Sequence, residues 1–322
     1  MRRNSAWFKE YDKNMKQEHL NLTKDKLKEA KTLVKLFGMD FDGTVFDNID
    51  FKLFEVASLV KRILDDGKSV AFVTARAASA LKILVPILQE LLTQKEFSGS
   101  CFIAGGNGAV LYEVKKDELI EIYNHGLEVS QIIHIVEEGK NIYKKLGINS
   151  TDLTERGVDT FKRFITEDWR TYISSDIVDV CRLSEGKFFT EQANVHFVLP
   201  KDKSLHQKIV NQLNEKLGEE YRAVAGDEVY VHVTKRLGED SKAVAIKTIL
   251  NILGLEYIHV ATFGDMPMGN DSGLLSFPFS FTNSREFAYI KKESQQPPYI
   301  LYELDLTPVA QVYKAIDFLL SE

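Results

Sequence analysis

Two carboxylates at the end of an apolar run have the clearest potential for chemistry in this chain. Asp40 and Asp42 follow the apolar residues 33–39, and Gly43 comes directly after them. If the turn curls, both carboxylates can reach one ligand, and the glycine lets backbone amides approach it closely. One carboxylate could then attack an electrophile while the other transfers a proton.

Two further polar residues follow apolar runs in the same way. Thr74 comes after the run 69–73, and Asp265 comes just after the run 257–263. Ligands of open parallel sheets bind at the carboxyl ends of the strands. We therefore expect Asp40, Thr74 and Asp265 to lie at one edge of a sheet.

Phosphoryl transfer is the reaction that these residues suit. A carboxylate is a weak nucleophile toward a negatively charged phosphate, so the site needs a divalent cation. Mg²⁺ prefers hard oxygen ligands, which Asp40, Asp265 and Asp271 could supply together with water and the substrate. The hydroxyl of Thr74 and the ammonium of Lys242 would hold the remaining phosphoryl oxygens.

The elements that must position these residues alternate between strand and helix. Apolar strands at 33–39, 69–73 and 101–104 are separated by helical stretches at 53–64 and about 79–92. Continuous apolar strands of this kind are typical of a parallel sheet that is covered on both faces. We therefore predict an α/β fold with a doubly wound parallel sheet.

The middle of the chain has a different pattern. The alternating residues 194–199 and the amphipathic stretch 205–217 indicate antiparallel strands with helices on one face. The parallel pattern resumes with a helix over 242–253 and a strand over 257–263. The middle is therefore predicted to be an inserted α+β domain.

The predicted organisation has three parts. Residues 1–31 form an amphipathic helical extension that packs on the core, since acidic residues interrupt the positive face that a membrane-surface or targeting helix needs. Residues 32–115 and 230–322 form the core, and residues 116–229 form the inserted domain. We expect the site to lie between the core and the insertion.

Composition excludes several classes of protein. The chain has 44% hydrophobic and 27% charged residues, as soluble globular proteins do, and its net charge of -6 argues against a nucleic-acid binder. Its two cysteines cannot form a disulfide framework, and no apolar run approaches the ~18 residues of a membrane span. We expect a cytoplasmic protein without a nucleic-acid or membrane partner.

Four ordered motifs of the chain resemble those of the haloacid dehalogenase (HAD) superfamily. They are Asp40-Phe41-Asp42-Gly43-Thr44, Thr74-Ala75-Arg76, Lys242, and Gly264-Asp265 with Asn270-Asp271. Within the superfamily the chain is most similar to the Cof-type sugar phosphatases, which carry a large α+β cap of class two, subtype B. The segment 106–109, Gly-Asn-Gly-Ala, is similar to one in that subfamily.

The resemblance implies a Rossmann-like core and a role for each motif. Asp40 is then the nucleophile, Asp42 the general acid and base, and Thr74 and Lys242 hold the phosphate. Gly43 and Ala75 lie in the implied phosphate-binding loops. The candidate metal-binding residues are Asp40, Asp42, Asp265, Asn270 and Asp271. The implied substrate is a small phosphorylated metabolite, such as a sugar phosphate, which the cap selects.

The sequence departs from the family pattern at two points. The second aspartate of the fourth motif usually follows the first by four positions, but Asp271 follows Asp265 by six. The second motif has Ala75 where glycine is usual, which narrows the backbone freedom there without removing the hydroxyl of Thr74. The first departure makes the metal role of Asp265 a firmer expectation than that of Asp271.

Several of these residues have a structural interpretation as well as a functional one. Asn270 and Asp271 could cap a following helix, and Lys235 is an alternative to Lys242. Three histidines in apolar strands are interpreted as core residues, namely His196, His232 and His259. Four cations of the insertion could bind substrate or lie on a solvated helix face, namely Arg156, Lys162, Arg163 and Arg170.

Two other functions compete with a phosphatase. A phosphomutase of the phosphomannomutase type shares the first motif, and Gly269-Asn270-Asp271 partly resembles the end of its fourth motif. A catalytically silent binding module on a HAD scaffold is the other alternative. The complete set of motif residues favours an enzyme over that module. The sequence specifies neither the substrate nor an oligomeric state.

Overall fold

The computed structural model describes most of the chain. The described residues are 21–47, 52–76, 78–149, 152, 194–225, 230–237, 240–267, 269–284, 298–301 and 305–321. The four candidate substrate-binding cations of the insertion lie outside these ranges, and so does Cys181. Within these ranges, none of the helices has the length and apolar character needed to cross a lipid bilayer.

Eight strands form one mixed sheet with the order β11-β10-β9-β1-β2-β3-β4-β5. The strands are β1 (Leu36–Met39), β2 (Ser69–Val73), β3 (Cys101–Gly105), β4 (Val110–Val114), β5 (Leu119–Asn124), β9 (Val260–Gly264), β10 (Phe279–Thr282) and β11 (Tyr299–Ile300). The pairs β1–β9, β9–β10 and β10–β11 are parallel, whereas β3–β4 and β4–β5 are antiparallel. The predicted α/β class is therefore confirmed.

Three more strands form a separate antiparallel sheet with the order β6-β8-β7. They are β6 (Asn194–Val198), β7 (Tyr221–Ala225) and β8 (Tyr230–Lys235). The helices are α1 (residues 21–33), α2 (Leu53–Asp65), α3 (Ala78–Gln94), α4 (Val129–Lys145), α5 (His206–Leu217), α6 (Ser241–Leu253) and α7 (Pro308–Leu320).

The chain divides into two compact units. The first consists of Met1–Ala71, Phe97–Ser100 and Ile249–Glu322, and the second of Phe72–Glu96 and Cys101–Thr248. The strand β5 falls inside the predicted insertion, yet it pairs antiparallel with β4 of the eight-stranded sheet, with a register shift between Leu111 and Tyr112. The predicted division into residues 32–115 with 230–322 and residues 116–229 stays a prediction.

The first unit is built on completely buried strands. Every residue of β1, β9 and β10 is buried, as expected where helices cover both faces of a sheet. The helix α1 packs against this unit, since the buried Thr23 donates a hydrogen bond from Oγ1 to the carbonyl oxygen of Ile300 at 3.1 Å.

The second unit contains the antiparallel sheet and its own apolar core. Side chains from α4 and α5 pack against β6, β7 and β8 in one cluster that includes Ile135, Phe197 and Leu213. Strands half-covered by helices are the architecture that the alternating pattern predicts.

Two strands begin later than the sequence pattern predicts. The sequence pattern predicts one strand over 33–39, but α1 continues through Leu33 and β1 begins at Leu36. The strand expected over 257–263 is also shorter. Its first residues, Tyr257–His259, form a 3₁₀ turn, because Nδ1 of His259 accepts a hydrogen bond from the amide of Glu256 at 3.0 Å.

Candidate active site

The loop after β1 carries the first candidate motif. The amide of Asp40 donates to the carbonyl oxygen of Phe263 at 2.9 Å, which continues the parallel ladder to the end of the strand. Gly43 then adopts a φ of 74°, and its amide donates to the carbonyl oxygen of Phe46 at 2.9 Å. The turn therefore curls as expected, with Asp40 buried and Asp42 exposed.

The longer fourth motif forms a turn that returns Asp271 to Asp265. Oδ2 of Asp271 accepts hydrogen bonds from the amides of Asp265 at 3.0 Å and Met266 at 2.9 Å. The amide of Gly269 donates to the carbonyl oxygen of Met266 at 2.9 Å, which closes the turn between the two aspartates. The six-residue spacing therefore leaves Asp271 beside Asp265, and one of its oxygens fixes the loop backbone.

Three carboxylates meet at the ends of β1 and β9. Oxygen atoms of Asp40, Asp265 and Asp271 lie within 4.8 Å of one another. Asp40 and Asp271 are buried, and carboxylates that share a buried site repel one another unless a cation or protons balance them. Because all three offer hard oxygen ligands, the group suits Mg²⁺. The exposed Asp42 is outside this group. The metal roles of all five candidate residues stay predictions.

Gly43 lies so close to one of the three carboxylates, that of Asp265, that a side chain does not fit at its position. A Cβ atom at this position would lie 2.5 Å from Oδ2 of Asp265, well inside van der Waals contact. The carbonyl oxygen of Gly43 accepts a hydrogen bond from Nδ2 of Asn283 at 2.9 Å. The first and fourth motifs are therefore packed directly on each other.

Asn283 is a site residue that the sequence analysis missed. It is buried and follows β10, just as Asp265 follows β9. A polar residue at the carboxyl end of a buried strand was the signal that identified the three other strand-end residues. The same rule would have identified Asn283, which holds the loop of Gly43 in place.

We expect Gly43→Ala to weaken metal binding. The added methyl group must displace the carboxylate of Asp265, and alanine also resists a positive φ. A loss of about 1.4 kcal/mol in cation affinity corresponds to about a tenfold rise in the Mg²⁺ concentration that gives half-maximal activity. That concentration is the quantity to measure.

Gly254→Ala is the matched control for this variant. Gly254 has a φ of 64°, so alanine meets the same backbone strain there, but no atom of the described residues lies within 4 Å of the added Cβ atom. An equal change of the Mg²⁺ requirement in both variants would show that backbone strain alone, and not contact with Asp265, causes the effect.

The second unit holds the other predicted phosphate-binding residues. Thr74 follows β2 and is buried, and its Oγ1 accepts a hydrogen bond from the amide of Arg76 at 3.1 Å. Its carbonyl oxygen accepts one from the amide of Asn107 at 2.8 Å. Since Oγ1 is an acceptor toward Arg76, its own hydrogen is oriented elsewhere and can be donated to a ligand. Ala75 lies half-buried between these contacts.

Lys242 lies in the first turn of α6 and is completely buried. Oδ1 of Asp240 accepts a hydrogen bond from its amide at 3.2 Å, as an N-cap residue does. Gly108 has a φ of 90° and packs on this turn, because a Cβ atom there would lie 2.4 Å from the carbonyl oxygen of Ser241. The segment 106–108 therefore contacts both the loop of Thr74 and the start of α6.

Comparison with known proteins identifies the family. The sequence pattern of the haloacid dehalogenase-like hydrolases matches residues 37–277, which is three quarters of the chain. The chain belongs to this family. A haloacid dehalogenase-like hydrolase is an enzyme, and the predicted family is confirmed. The Cof-type subfamily and the cap subtype stay predictions.

Solved structures support the same fold for this HAD-like hydrolase. It is similar to a Streptococcus mutans protein with a TM-score of 0.59, at 14% identity over 88% of this chain and 98% of that one. A haloacid dehalogenase-like hydrolase from Bacillus subtilis has a TM-score of 0.51, at 17% identity over 79% of this chain and 91% of that one.

A third similar structure is the truncated IMP-nucleotidase of Plasmodium falciparum. Its TM-score is 0.53, at 14% identity over 91% of this chain and 72% of that one. At these identities the similarity concerns the fold alone. A search among curated proteins found no match.

Proposed function

We propose that this hydrolase is a Mg²⁺-dependent phosphatase that acts on small phosphomonoesters through an aspartyl-phosphate at Asp40. The observation that carries the proposal is the group of three carboxylates, in which Asp40 lies with Asp265 and Asp271 at the strand ends. A nucleophile in such a group is positioned beside the hard-oxygen ligands that a divalent cation needs. The proposed substrate is a sugar phosphate or a similar metabolite.

The first step is the transfer of the phosphoryl group to Asp40. An oxygen of Asp40 attacks phosphorus in line, the bond from phosphorus to the ester oxygen breaks, and Asp42 gives its proton to the departing alkoxide. Asp42 is exposed, which suits a group that must exchange a proton with substrate and solvent. Mg²⁺, when bound, neutralises the charge that otherwise keeps a carboxylate from a phosphate.

The second step is hydrolysis of the aspartyl-phosphate. Asp42 removes a proton from water, which attacks phosphorus and breaks its bond to Asp40, so that inorganic phosphate leaves and both carboxylates return to their first state. We propose that Thr74 donates its hydroxyl hydrogen to a phosphoryl oxygen, while the ammonium of Lys242 binds another. Backbone amides of the half-buried loops at Gly43 and Ala75 would complete the phosphate site.

A cytoplasmic location is part of the proposal. Cys101 is buried and unpaired, and burial raises the pKa of its thiol to about 12, so it stays protonated and unreactive. An unreactive free thiol is compatible with a reducing compartment.

We expect metal removal to abolish the activity. Dialysis against EDTA should lower the rate of phosphate release from p-nitrophenyl phosphate about 10²-fold or more, because the charge stabilisation by a cation is worth several kcal/mol. Added Mg²⁺ should restore it. Asp265→Ala should raise the Mg²⁺ requirement or abolish turnover, whereas Asp317→Ala, at an exposed salt bridge with Arg62, should not.

Three outcomes would contradict parts of the proposal. Full activity after exhaustive dialysis would exclude a required cation. Phosphate release that depends on a sugar bisphosphate activator would favour the phosphomutase alternative. The absence of turnover on aryl phosphate, sugar phosphates and nucleoside monophosphates would favour a silent binding module. Nucleoside monophosphates belong in this panel because one structurally similar protein is an IMP-nucleotidase.

A further inference from the structure

The antiparallel sheet β6-β8-β7 has two chemically different faces. One face is apolar and packs on α4 and α5, with Val195, Phe197 and Val233 among its residues. Directly opposed residues of neighbouring strands share a face, and so do alternate residues along one strand. The register therefore places His196, Val198, Arg222, Val224, Tyr230, His232 and Thr234 on the opposite face. We call its four polar residues around His232, namely His196, Arg222, His232 and Thr234, the polar face.

Two residues of the polar face are buried although they are polar. His232 is 6% exposed and Thr234 is 3% exposed. Within the described part of the chain, Nδ1 of His232 has no hydrogen-bond partner. A buried polar atom without a partner costs free energy, so such an atom is usually retained for a reason other than stability. The interpretation of His232 as an ordinary core residue does not account for this atom.

His232 is paired with His196 across the strands. The two residues are directly opposite each other, and their rings meet edge to face with centroids 4.4 Å apart. Burial lowers the pKa of His196 to about 4. The pKa of His232 lies well below its usual value because of burial first, then the neighbouring His196 and the ammonium of Lys242. Both imidazoles are therefore neutral at physiological pH.

Hydrogen bonds connect the polar face to the start of α6. Nη1 of Arg222 donates to Oδ2 of Asp240 at 2.7 Å, and Oδ1 of Asp240 accepts from the amide of Lys242 at 3.2 Å. Arg222 shares its face with His232, since Val224 is opposite His232 and Arg222 is two residues earlier on the same strand. The face thus adjoins the turn that carries the proposed phosphate-binding lysine.

We propose that His232 determines substrate specificity by hydrogen bonding through Nδ1 to an uncharged hydroxyl group on the alcohol part of the phosphomonoester. The inference rests on the proposed phosphatase function, in which Lys242 binds the phosphate of the same molecule. A neutral imidazole can donate or accept one hydrogen bond at this atom, which matches a hydroxyl. A carboxylate or second phosphate would instead require a cation there. The favoured substrates are therefore hydroxylated monophosphates.

The test compares substrates that differ only in hydroxyl groups. One pair is glycerol 3-phosphate and n-propyl phosphate, and the other is glucose 6-phosphate and cyclohexylmethyl phosphate. The wild-type enzyme should have a higher kcat/KM for the hydroxylated member of at least one pair. His232→Phe should raise KM for that member about five- to tenfold, as expected for the loss of one hydrogen bond, and leave the other member unchanged.

Thermal unfolding distinguishes a role of His232 in substrate recognition from a role in stability. Phenylalanine keeps a ring and removes the unpartnered nitrogen, so the Tm of His232→Phe should be unchanged or higher. His232→Asn places an amide near the position of Nδ1 and should restore part of the discrimination. The control is His134→Phe, because His134 is exposed on α4, away from the polar face; it should behave as wild type.

Each remaining outcome overturns the inference. Equal kcat/KM for both members of both pairs in the wild type, or an unchanged preference in His232→Phe, would exclude this role. Equal losses on all substrates, p-nitrophenyl phosphate included, would assign His232 to structure or to the common chemistry. A wild-type protein without turnover of p-nitrophenyl phosphate, sugar phosphates and nucleoside monophosphates would reject the phosphatase function itself, and the inference with it.

Discussion

Asp40→Asn should abolish the hydrolysis of every phosphomonoester. The amide has nearly the same volume as the carboxylate but is not a nucleophile at physiological pH, and loss of an enzyme's nucleophile costs on the order of 10⁴–10⁶ in kcat. The change also removes one of three mutually repelling carboxylates. Without Mg²⁺, the Tm of the variant should therefore equal or exceed that of the wild type, which would show that inactivity is not caused by unfolding.

Asp317→Asn is the matched control, since it makes the same change on an exposed side chain that pairs with Arg62. It should retain activity, because surface salt bridges contribute little to stability. Acid quenching during turnover should trap a phosphorylated wild-type protein, detected by mass spectrometry, and no such species in Asp40→Asn. A phosphoenzyme in that variant would show that another residue is the nucleophile.

Asp42→Asn should separate the two steps of the reaction. An alkoxide leaves only if it is protonated, whereas p-nitrophenolate leaves without help. The variant should therefore lose about 10²–10⁴-fold in the rate at which a sugar phosphate phosphorylates Asp40, and much less with p-nitrophenyl phosphate. Hydrolysis of the aspartyl-phosphate stays slow with both substrates, because it needs Asp42 as a base.

Rapid mixing of Asp42→Asn with p-nitrophenyl phosphate should then give a burst of nitrophenolate close to one equivalent per active site. The double variant Asp40→Asn with Asp42→Asn is the control and should give no burst. If both substrates slow equally, with neither a burst nor a trapped phosphoenzyme, Asp42 is not the acid and base. Its place in the turn next to Gly43 would then assign it to loop structure.

The positions of Asp40 and Asp265 could be predicted because they depend on local sequence and on a general rule of sheet topology. Each follows a run of buried residues, and β1 and β9 prove to be parallel neighbours. Parallel neighbours bring their carboxyl ends together, so the two aspartates must be close. The rule needs no knowledge of loop conformation, which is why it succeeds from sequence.

The position of Asp271 could not be predicted, because it depends on how a loop folds back. It lies six positions after Asp265, and its approach requires the turn closed between Gly269 and Met266. Turns of this kind depend on hydrogen bonds between residues that have no periodic pattern.

The polar face of the smaller sheet could not be predicted for another reason. Alternation shows that two faces differ, but it does not show which polar residues, such as His232, are buried.

The two hydrogen bonds that Asp271 accepts make the loop backbone sensitive to the charge of the site. Oδ2 of Asp271 accepts the amide hydrogens of Asp265 and Met266, and Asp271 belongs to the group of three carboxylates. Ionised carboxylates in one site repel one another, so a counter-charge should strengthen these two hydrogen bonds. Exchange of these two amide hydrogens with deuterated solvent should therefore slow when a cation balances the charge of the three carboxylates. The exchange rate would then report cation binding without substrate or turnover.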